Sequence, residues 1–197
     1  MPILVAVRTT YAINEDDLSE YRRQKAARFQ REGDRIRCLC AGVALDYALQ
    51  TIGLREKTVA VAFGEHGKPY LVEYPEWHFN LSHSGEWSVC ALSDTPIGVD
   101  VEEYRPQNYL ALAERFFSPA EQVQLQKCQE TERQTLFFRL WTQKESLLKV
   151  AGIGLSALSD SESVSKEGYV YRSYELSGYA LTVCTKGEFP SALTIIE

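Results

Sequence analysis

The chain has 197 residues, of which 45% are hydrophobic, and a formal net charge of −6. This length and apolar content are sufficient for a buried core, in one domain or in two small halves packed together, and they exclude a disordered chain. The acidic balance argues against a general nucleic-acid binder, because such proteins carry a net basic surface.

The cysteines and the hydrophobicity profile predict a cytoplasmic protein. Five cysteines are scattered along the chain without a C-x-x-C pair: Cys38, Cys40, Cys90, Cys128 and Cys184. Their odd number and spacing are typical of reduced thiols. The amino terminus lacks the basic start of a signal peptide, and no apolar run approaches the length of about 18 residues that crosses a membrane. We expect a monomer that does not associate with membranes.

The first third of the chain holds a concentration of positive charge. A short strand is predicted at residues 3–7, and a helical segment at residues 17–49 with a break near Gly33. Residues 22–37 contain seven Lys and Arg residues but only two acidic ones. Composition alone does not decide between a solvated helix face and a surface that binds anions.

A strand predicted at residues 58–63 leads into a turn that contains two glycines and a proline. Lys68 lies at the tip of this turn, where a lysine is commonly just solvated. Further along, His83 stands between two serines at the end of a short strand. An imidazole in that position can hydrogen-bond a phosphate oxygen.

The stretch at residues 79–104 contains the first candidate metal ligands. Residues 87–92 and 97–102 are predicted to form a hairpin through a turn of Asp, Thr and Pro. Since successive strand residues point to opposite faces, the apolar residues of the second strand face the core, and Asp100 and Glu102 share the other side with Gly98.

Two neighbouring carboxylates resist ionisation unless a cation lies between them, and a hard divalent metal is the simplest such cation. A solvent-facing strand edge with ordinary acidic residues is the commoner explanation of a bare D-x-E motif, and only a third ligand from elsewhere in the chain would decide for a metal site. Glu145 is the candidate, because it falls off the apolar arc of a long helix predicted at residues 132–152. The alternative is an ordinary surface pair between Glu145 and Lys149 at i,i+4 spacing.

Two further features are structural. Ser118, Pro119 and Glu121 have the order of a capping box with proline at the first helical position, which predicts a helix start. After the long helix, strands are predicted at residues 163–165, 168–175 and 179–184, the last two joined by a tight turn. Strand, helices and hairpin thus occur in the same order twice.

Five motifs carry a resemblance to a known family. They are GKPY at residues 67–70, FNLSHSG at 79–85, PIGVDVE at 96–102, FFSPAE at 116–121 and LWTQKESLLKVAGIGL at 140–155. In this order and spacing they resemble the 4'-phosphopantetheinyl transferase superfamily, in its longer single-chain type that includes the surfactin-synthetase-activating enzymes. The resemblance runs from about residue 18 to residue 155. At Ser156-Ala157-Leu158 the chain departs from relatives that often carry a proline, which leaves the path of the loop open.

The resemblance implies a fold and an activity. The fold would be α+β, a pseudo-twofold pair of similar halves at residues 1–105 and 106–197, each a small antiparallel sheet packed with helices. The activity would be transfer of the 4'-phosphopantetheine group of coenzyme A to a serine of an apo acyl or peptidyl carrier protein, with release of adenosine 3',5'-bisphosphate.

Within this activity individual residues have expected roles, which follow from their own chemistry and, for Arg22, Lys25, Arg37 and Lys68, from the resemblance. Mg²⁺, or Mn²⁺, would be held by Asp100, Glu102 and Glu145. The phosphates of coenzyme A would be met by Ser82, His83, Lys68 and Lys149, and its 3'-phosphate by Arg22, Lys25 and Arg37. Glu145 would take the proton of the carrier serine, directly or through water.

Two other functions use the same features. A metal-dependent hydrolase of nucleotide pyrophosphates would need the three carboxylates but no carrier protein. A non-catalytic module that binds carrier proteins would need no metal site, and the four residues Asp100, Glu102, Glu145 and Lys149 weigh against it.

Overall fold

The computed structural model describes residues 1–153 and 167–197. Its strands are β1 (Ile3–Arg8), β2 (Val61–Phe63), β3 (Pro69–Leu71), β4 (His78–Ser84), β5 (Trp87–Ser93), β6 (Ile97–Glu103), β7 (Val170–Leu176), β8 (Tyr179–Thr185) and β9 (Thr194–Ile196). Its helices are α1 (Glu20–Ala26), α2 (Glu32–Gln50), α3 (Tyr109–Phe116), α4 (Pro119–Lys127) and α5 (Glu130–Ala151). The chain therefore has the predicted α+β composition.

Helix ends follow the local signals. The Ser118 side chain accepts from the backbone N–H of Glu121, and the Glu121 carboxylate accepts from the backbone of Ser118, so the predicted capping box starts α4. α5 ends at Gly152, whose φ of 71° lies in the left-handed region that glycine adopts without steric cost. The break predicted near Gly33 falls slightly earlier, between α1 and α2.

The described strands form three sheets. One has the strand order β4-β5-β1-β9, a second pairs β2 with β3, and a third has the order β6-β8-β7. The strands β6, β7 and β8 are antiparallel, as are β4, β5 and β1, whereas β9 runs parallel to β1. β9 was not predicted from the sequence, and it returns the end of the chain to the sheet in which the chain begins.

Alternating strand residues supply two core faces on each large sheet. On β1, Val5 and Val7 pack with α2, while Leu4 and Ala6 pack against β6 and β8. On β6, the apolar residues enter this shared core, and the opposite face meets α5. The layers therefore follow the order helix, sheet, sheet, helix, and the predicted facing of Val99 and its apolar neighbours is confirmed.

The two large sheets are joined by side chains. β6 lies at the edge of its sheet, and the outward N–H groups of Val99, Val101 and Glu103 donate to side chains of β4. The acceptors alternate along β4, namely Asn80 Oδ1 at 2.9 Å, Ser82 Oγ at 3.4 Å and Ser84 Oγ at 3.1 Å. These bonds satisfy the backbone of an edge strand that would otherwise be open.

The predicted hairpin between residues 87–92 and 97–102 is wrong. β5 pairs with β4 and β1, and β6 pairs with β8, so the turn before β6 carries the chain from one sheet to the other. A turn motif indicates that the chain changes direction, but it does not determine which strand pairs with the strand that follows the turn. The division into two halves at residue 105 stays a prediction. β6 lies before this boundary but pairs with β8, which lies after it.

The remaining predictions concern the chain end and the membrane. β7 and β8 form the predicted hairpin. The strand predicted at residues 163–165 and the loop after Leu155 lie outside the described residues. Among the described helices, none combines the length and the apolar content of a membrane span.

Candidate active site

Three carboxylates meet between β6 and α5. Asp100, Glu102 and Glu145 each offer an oxygen atom, and these atoms lie within 4.8 Å of one another. Asp100 is 2% exposed and Glu145 is 8% exposed. The structure thus brings the third predicted ligand to the first two, and the solvent-facing strand edge considered as an alternative is wrong.

A glycine lets the helix approach the strand closely enough. A Cβ atom on Gly98 would lie 2.7 Å from the backbone nitrogen of Val150 and would collide with the carbonyl oxygen of Ser146. Gly98 precedes Asp100 by two residues, on the same face of β6. Its missing side chain therefore allows α5 to lie directly on this face, where Glu145 reaches Asp100.

The cluster is electrostatically strained. Burial, reinforced by the charges of Asp100 and Glu102, raises the pKa of Glu145 to about 7 in the metal-free protein, against the opposing effects of Lys149 and a hydrogen bond with Trp141. Burial and the charge of Asp100 also raise the pKa of Glu102. A cation bound among the three side chains would remove this repulsion.

Lys149 is tied to the cluster but does not neutralise all of it. Its Nζ donates to Asp100 Oδ1 at 2.6 Å and to Ser82 Oγ at 2.9 Å, while Glu145 Oε2 lies 4.0 Å away. Ser82 in turn donates to Asp100 Oδ1 at 2.8 Å. Glu145 and Lys149 do form the i,i+4 pair considered from the sequence, but Glu145 is buried among acidic groups, so the pair is not an ordinary surface pair.

The residues present fit a divalent metal ion. Asp100 Oδ2 is buried and has no hydrogen-bond partner among the described residues. A buried carboxylate oxygen without a donor is costly, and a cation is the partner that its charge demands. An all-oxygen set of three carboxylates suits Mg²⁺ or Mn²⁺ and does not resemble the thiolate and imidazole sets that hold zinc.

The sequence reasoning missed two supporting residues. Ser84 donates to Glu102 Oε2 at 2.9 Å, which orients the second carboxylate. Asn80 Oδ1 accepts a hydrogen bond from the backbone N–H of Val99 and so fixes the position of β6 along β4. The signal was the alternation Asn80-x-Ser82-x-Ser84, since three polar residues at a period of two must share one face of a strand.

Cations line two adjoining cavities beside the carboxylates. A cavity of about 250 Å³ is lined by Arg22, Lys25 and His83. A second of about 260 Å³ is lined by Lys68 and Lys149. The two share four lining residues, namely Gly67, Pro69, Asn80 and Leu81. These two cavities together form the cationic cleft.

Burial changes the pKa values of the cationic groups in this cleft. It lowers the pKa values of Lys25 and Lys68, and it lowers the pKa of His83 with help from the nearby cations Arg37 and Lys149. Lys68 Nζ donates to the carbonyl oxygen of Val150 at 2.8 Å, which joins the turn before β3 to the end of α5. An anion in the cleft would offset the cost of burying these groups.

Arg37 is placed differently from the other predicted cations. Its guanidinium donates to the carbonyl oxygen of Gly85 at 3.1 Å and pairs with Asp34 at 2.5 Å. It is not among the residues that line either cavity of the cationic cleft. The structure therefore collects Arg22, Lys25 and His83 in one cavity and leaves Arg37 beside the turn between β4 and β5.

Two family models match consecutive parts of the chain. The model described as "4'-phosphopantetheinyl transferase, N-terminal" matches residues 7–95, and the model of the 4'-phosphopantetheinyl transferase superfamily matches residues 96–184. The matches meet at the turn before β6, where the chain passes from the first large sheet to the other. The second match contains all three carboxylates.

Individual relatives agree with the models. The chain is 34% identical over 197 residues to 4'-phosphopantetheinyl transferase Sfp of Bacillus subtilis (strain 168), which covers 91% of this chain and 88% of the relative. It is 39% identical over 160 residues to another 4'-phosphopantetheinyl transferase of Bacillus subtilis, covering 81% and 71%. With 4'-phosphopantetheinyl transferase AcpT of Escherichia coli it shares 33% over 132 residues, covering 66% and 67%. The chain therefore belongs to the 4'-phosphopantetheinyl transferase superfamily.

Proposed function

We propose that this protein transfers the 4'-phosphopantetheine group of coenzyme A to a serine of an apo carrier protein and releases adenosine 3',5'-bisphosphate. The observation that carries the proposal is the buried cluster of Asp100, Glu102 and Glu145 beside the cationic cleft, in a chain of this family. In the reaction the serine oxygen bonds to the phosphorus that bears pantetheine, and the bridging oxygen leaves with the bisphosphate.

The three carboxylates would hold Mg²⁺ or Mn²⁺. When bound, the metal would neutralise charge on the pyrophosphate of the substrate. Lys149 would place a second positive charge at the same point, because its Nζ already lies 2.6 Å from Asp100 Oδ1. Ser84 and Asn80 would keep the carboxylates aligned through their bonds to β6 and to Glu102.

The cationic cleft would hold the phosphates of coenzyme A. Arg22, Lys25 and His83 would meet the 3'-phosphate end, and Lys68 would meet the phosphates nearer the carboxylates. The Ser82 hydroxyl donates a hydrogen bond to Asp100 Oδ1 at 2.8 Å. Direct donation to a phosphate would require Ser82 to release that carboxylate, so its first role would be to fix Asp100 and Lys149.

Glu145 would accept the proton of the carrier serine, directly or through a water molecule. It is the member of the cluster that comes from α5, and it lies opposite the two strand carboxylates. Asp100 is less suited to this task, since one of its oxygens already accepts from both Lys149 and Ser82. A base must lie within hydrogen-bond reach of the proton that it removes.

The direct test is incubation with coenzyme A, Mg²⁺ and a panel of apo carrier proteins from fatty-acid, polyketide and nonribosomal-peptide systems, followed by intact-mass measurement. We expect at least one carrier to gain the mass of phosphopantetheine, and we expect excess EDTA to prevent the gain. Full activity in excess chelator would contradict the metal site.

The same incubation separates the other functions. Release of adenosine 3',5'-bisphosphate without any carrier would indicate a pyrophosphate hydrolase. Binding of carriers without a change in mass would indicate a non-catalytic module. The buried acidic cluster, which costs stability, favours the transferase over the module.

We also propose that the protein is a cytoplasmic monomer that acts on carrier protein and coenzyme A without nucleic acid or membrane. All five cysteines are free, in agreement with a reducing compartment. Size-exclusion chromatography with light scattering would test the oligomeric state, and fractionation of the source cells would test the compartment.

A further inference from the structure

Arg22 reaches the cationic cleft from a buried position. It lies in the first turn of α1, is 5% exposed, and lines the same cavity as Lys25 and His83. A buried guanidinium needs a partner of opposite charge. The partner is Glu56, which lies between α2 and β2 and is 1% exposed.

Glu56 binds both the side chain of Arg22 and the start of its helix. Glu56 Oε1 accepts from Arg22 Nε at 3.3 Å and from Ser19 Oγ at 2.9 Å, and Glu56 Oε2 accepts from the backbone N–H of Ser19 at 2.7 Å. The backbone N–H of Glu56 donates to Asp46 Oδ1 of α2 at 2.9 Å. Asp46 thus holds the backbone of Glu56, and the Glu56 carboxylate binds both the residue before α1 and the Arg22 side chain.

Gly42 of α2 leaves the space through which Arg22 passes. A Cβ atom at this position would lie 2.9 Å from Arg22 Cγ, 3.0 Å from its Nε and 3.1 Å from its Cδ. Any side chain would therefore push the stem of Arg22 away from Glu56. The absence of a Cβ is a requirement of this contact, because real Cβ atoms are not found so close to other heavy atoms.

We propose that Glu56 and Gly42 are positioning residues that hold Arg22 ready for the 3'-phosphate of coenzyme A. This inference rests on the proposed function. Nε makes the bond to Glu56, so the two terminal nitrogens of the guanidinium are not used by the carboxylate. A planar guanidinium held along one edge can present its terminal donors to a phosphate without first losing conformational freedom.

The sign of the effect makes the proposal testable. Glu56 brings a negative charge close to a site for an anion, so its charge by itself opposes phosphate binding. If Glu56 did nothing but balance charge, its neutralisation would strengthen phosphate binding. If it positions Arg22, neutralisation weakens binding, because glutamine places an N–H donor where one of the present donors needs an acceptor.

The experiment is calorimetry of metal-free protein with two probes, adenosine 3',5'-bisphosphate and adenosine 5'-monophosphate, which lacks the 3'-phosphate. For Glu56→Gln we expect the affinity for the bisphosphate to fall about tenfold, the scale of one charge-assisted hydrogen bond, and the affinity for the monophosphate to stay unchanged. Tighter binding of the bisphosphate would overturn the proposal, as would equal losses for both probes.

A double-mutant cycle separates positioning from a general structural effect. In an Arg22→Ala background, Glu56→Gln should have no further effect on either probe. A further loss there would mean that Glu56 acts through the start of α1 and not through Arg22, and the proposal would be wrong.

Gly42→Ala provides a second route if Glu56→Gln fails to fold. It leaves Glu56 intact, and it should reproduce the selective loss of bisphosphate affinity by displacing the stem of Arg22. Unchanged affinity would overturn the role of the glycine and of the fixed arginine. If the wild type itself does not prefer the bisphosphate to the monophosphate, the proposed 3'-phosphate site fails, which is a separate result from loss of the preference in the variants.

Discussion

Lys144 and Glu145 are neighbours on α5 and are almost equally buried, at 4% and 8% exposed, yet their surroundings are opposite. Lys144 Nζ lies 2.8 Å from Glu121 Oε2 and over the ring of Phe117. Glu145 faces two other carboxylates, and the nearest cationic atom among the described residues, Lys149 Nζ, is 4.0 Å away and closer to Asp100.

The difference separates a structural charge from a functional one. The pair of Lys144 and Glu121 joins the capping box of α4 to α5, and both charges are compensated within the protein. The acidic cluster is compensated only in part, and a buried charge of this kind is retained where a ligand completes it. Burial alone would not distinguish the two residues.

Glu145→Gln should produce the largest effect on function. The substitution keeps the shape of the side chain and removes a metal ligand and the proposed base, so we expect kcat for transfer to fall about a hundredfold or more. The unfolding free energy of the metal-free protein should not fall, because one of three repelling carboxylates has been neutralised. Intact-mass time courses and urea unfolding measure the two quantities. A kcat close to that of the wild type would mean that Glu145 is a structural charge, as Lys144 is, and not a functional one.

Lys144→Met should show the opposite pattern. We expect a loss of about 2–3 kcal/mol in the free energy of unfolding, because Glu121 would be left without its buried partner. The kcat of the folded protein should stay close to that of the wild type. The double variant Lys144→Met with Glu121→Gln should recover part of the stability, since residue 121 then carries no unpaired charge. A large loss of kcat without a loss of stability would contradict the division between the two residues.

Mg²⁺ should stabilise the wild-type protein by a smaller amount. At a free concentration of about ten times Kd, a ligand that binds only the folded state adds about 1.4 kcal/mol. Lys144→Met should keep this increment, and Asp100→Asn and Glu145→Gln should lose most of it. Thermal unfolding with and without Mg²⁺ measures the increment, and an equal increment in all four proteins would indicate binding elsewhere.

The smallest effect is the pH dependence of the structural pair. Burial alone would raise the pKa of Glu121, but hydrogen bonds with Lys144 and Ser118 outweigh it, and the pKa lies below its ordinary value of 4.5. Because the folded-state pKa is the lower one, the unfolded chain binds more protons, and the contribution of the pair is complete above pH 4.5 and is lost as the pH falls through the folded-state pKa. Urea unfolding in EDTA at several acidic pH values should show a shallower decline for Glu121→Gln than for the wild type. Parallel declines would contradict the pKa shift.

The sequence predicted the parts of this molecule that depend on local periodicity. Alternation along β6 placed Asp100 and Glu102 on one face, and helical spacing placed Glu145 off the apolar arc. The capping box before α4, the end of α5 at Gly152 and the hairpin of β7 and β8 were also predicted correctly. Each of these features depends on residues within a few positions of one another.

Only the tertiary structure decided which elements meet. It paired β6 with β8 instead of β5, and it placed β9 beside β1. It also turned Ser82 toward Asp100, and it gave Arg22 a buried partner 34 positions away in Glu56. Lys144 and Glu145 illustrate the physical reason. Adjacent residues of a helix point in directions about 100° apart, so the sequence shows that they differ in direction, but their partners come from distant segments that chain folding brings together.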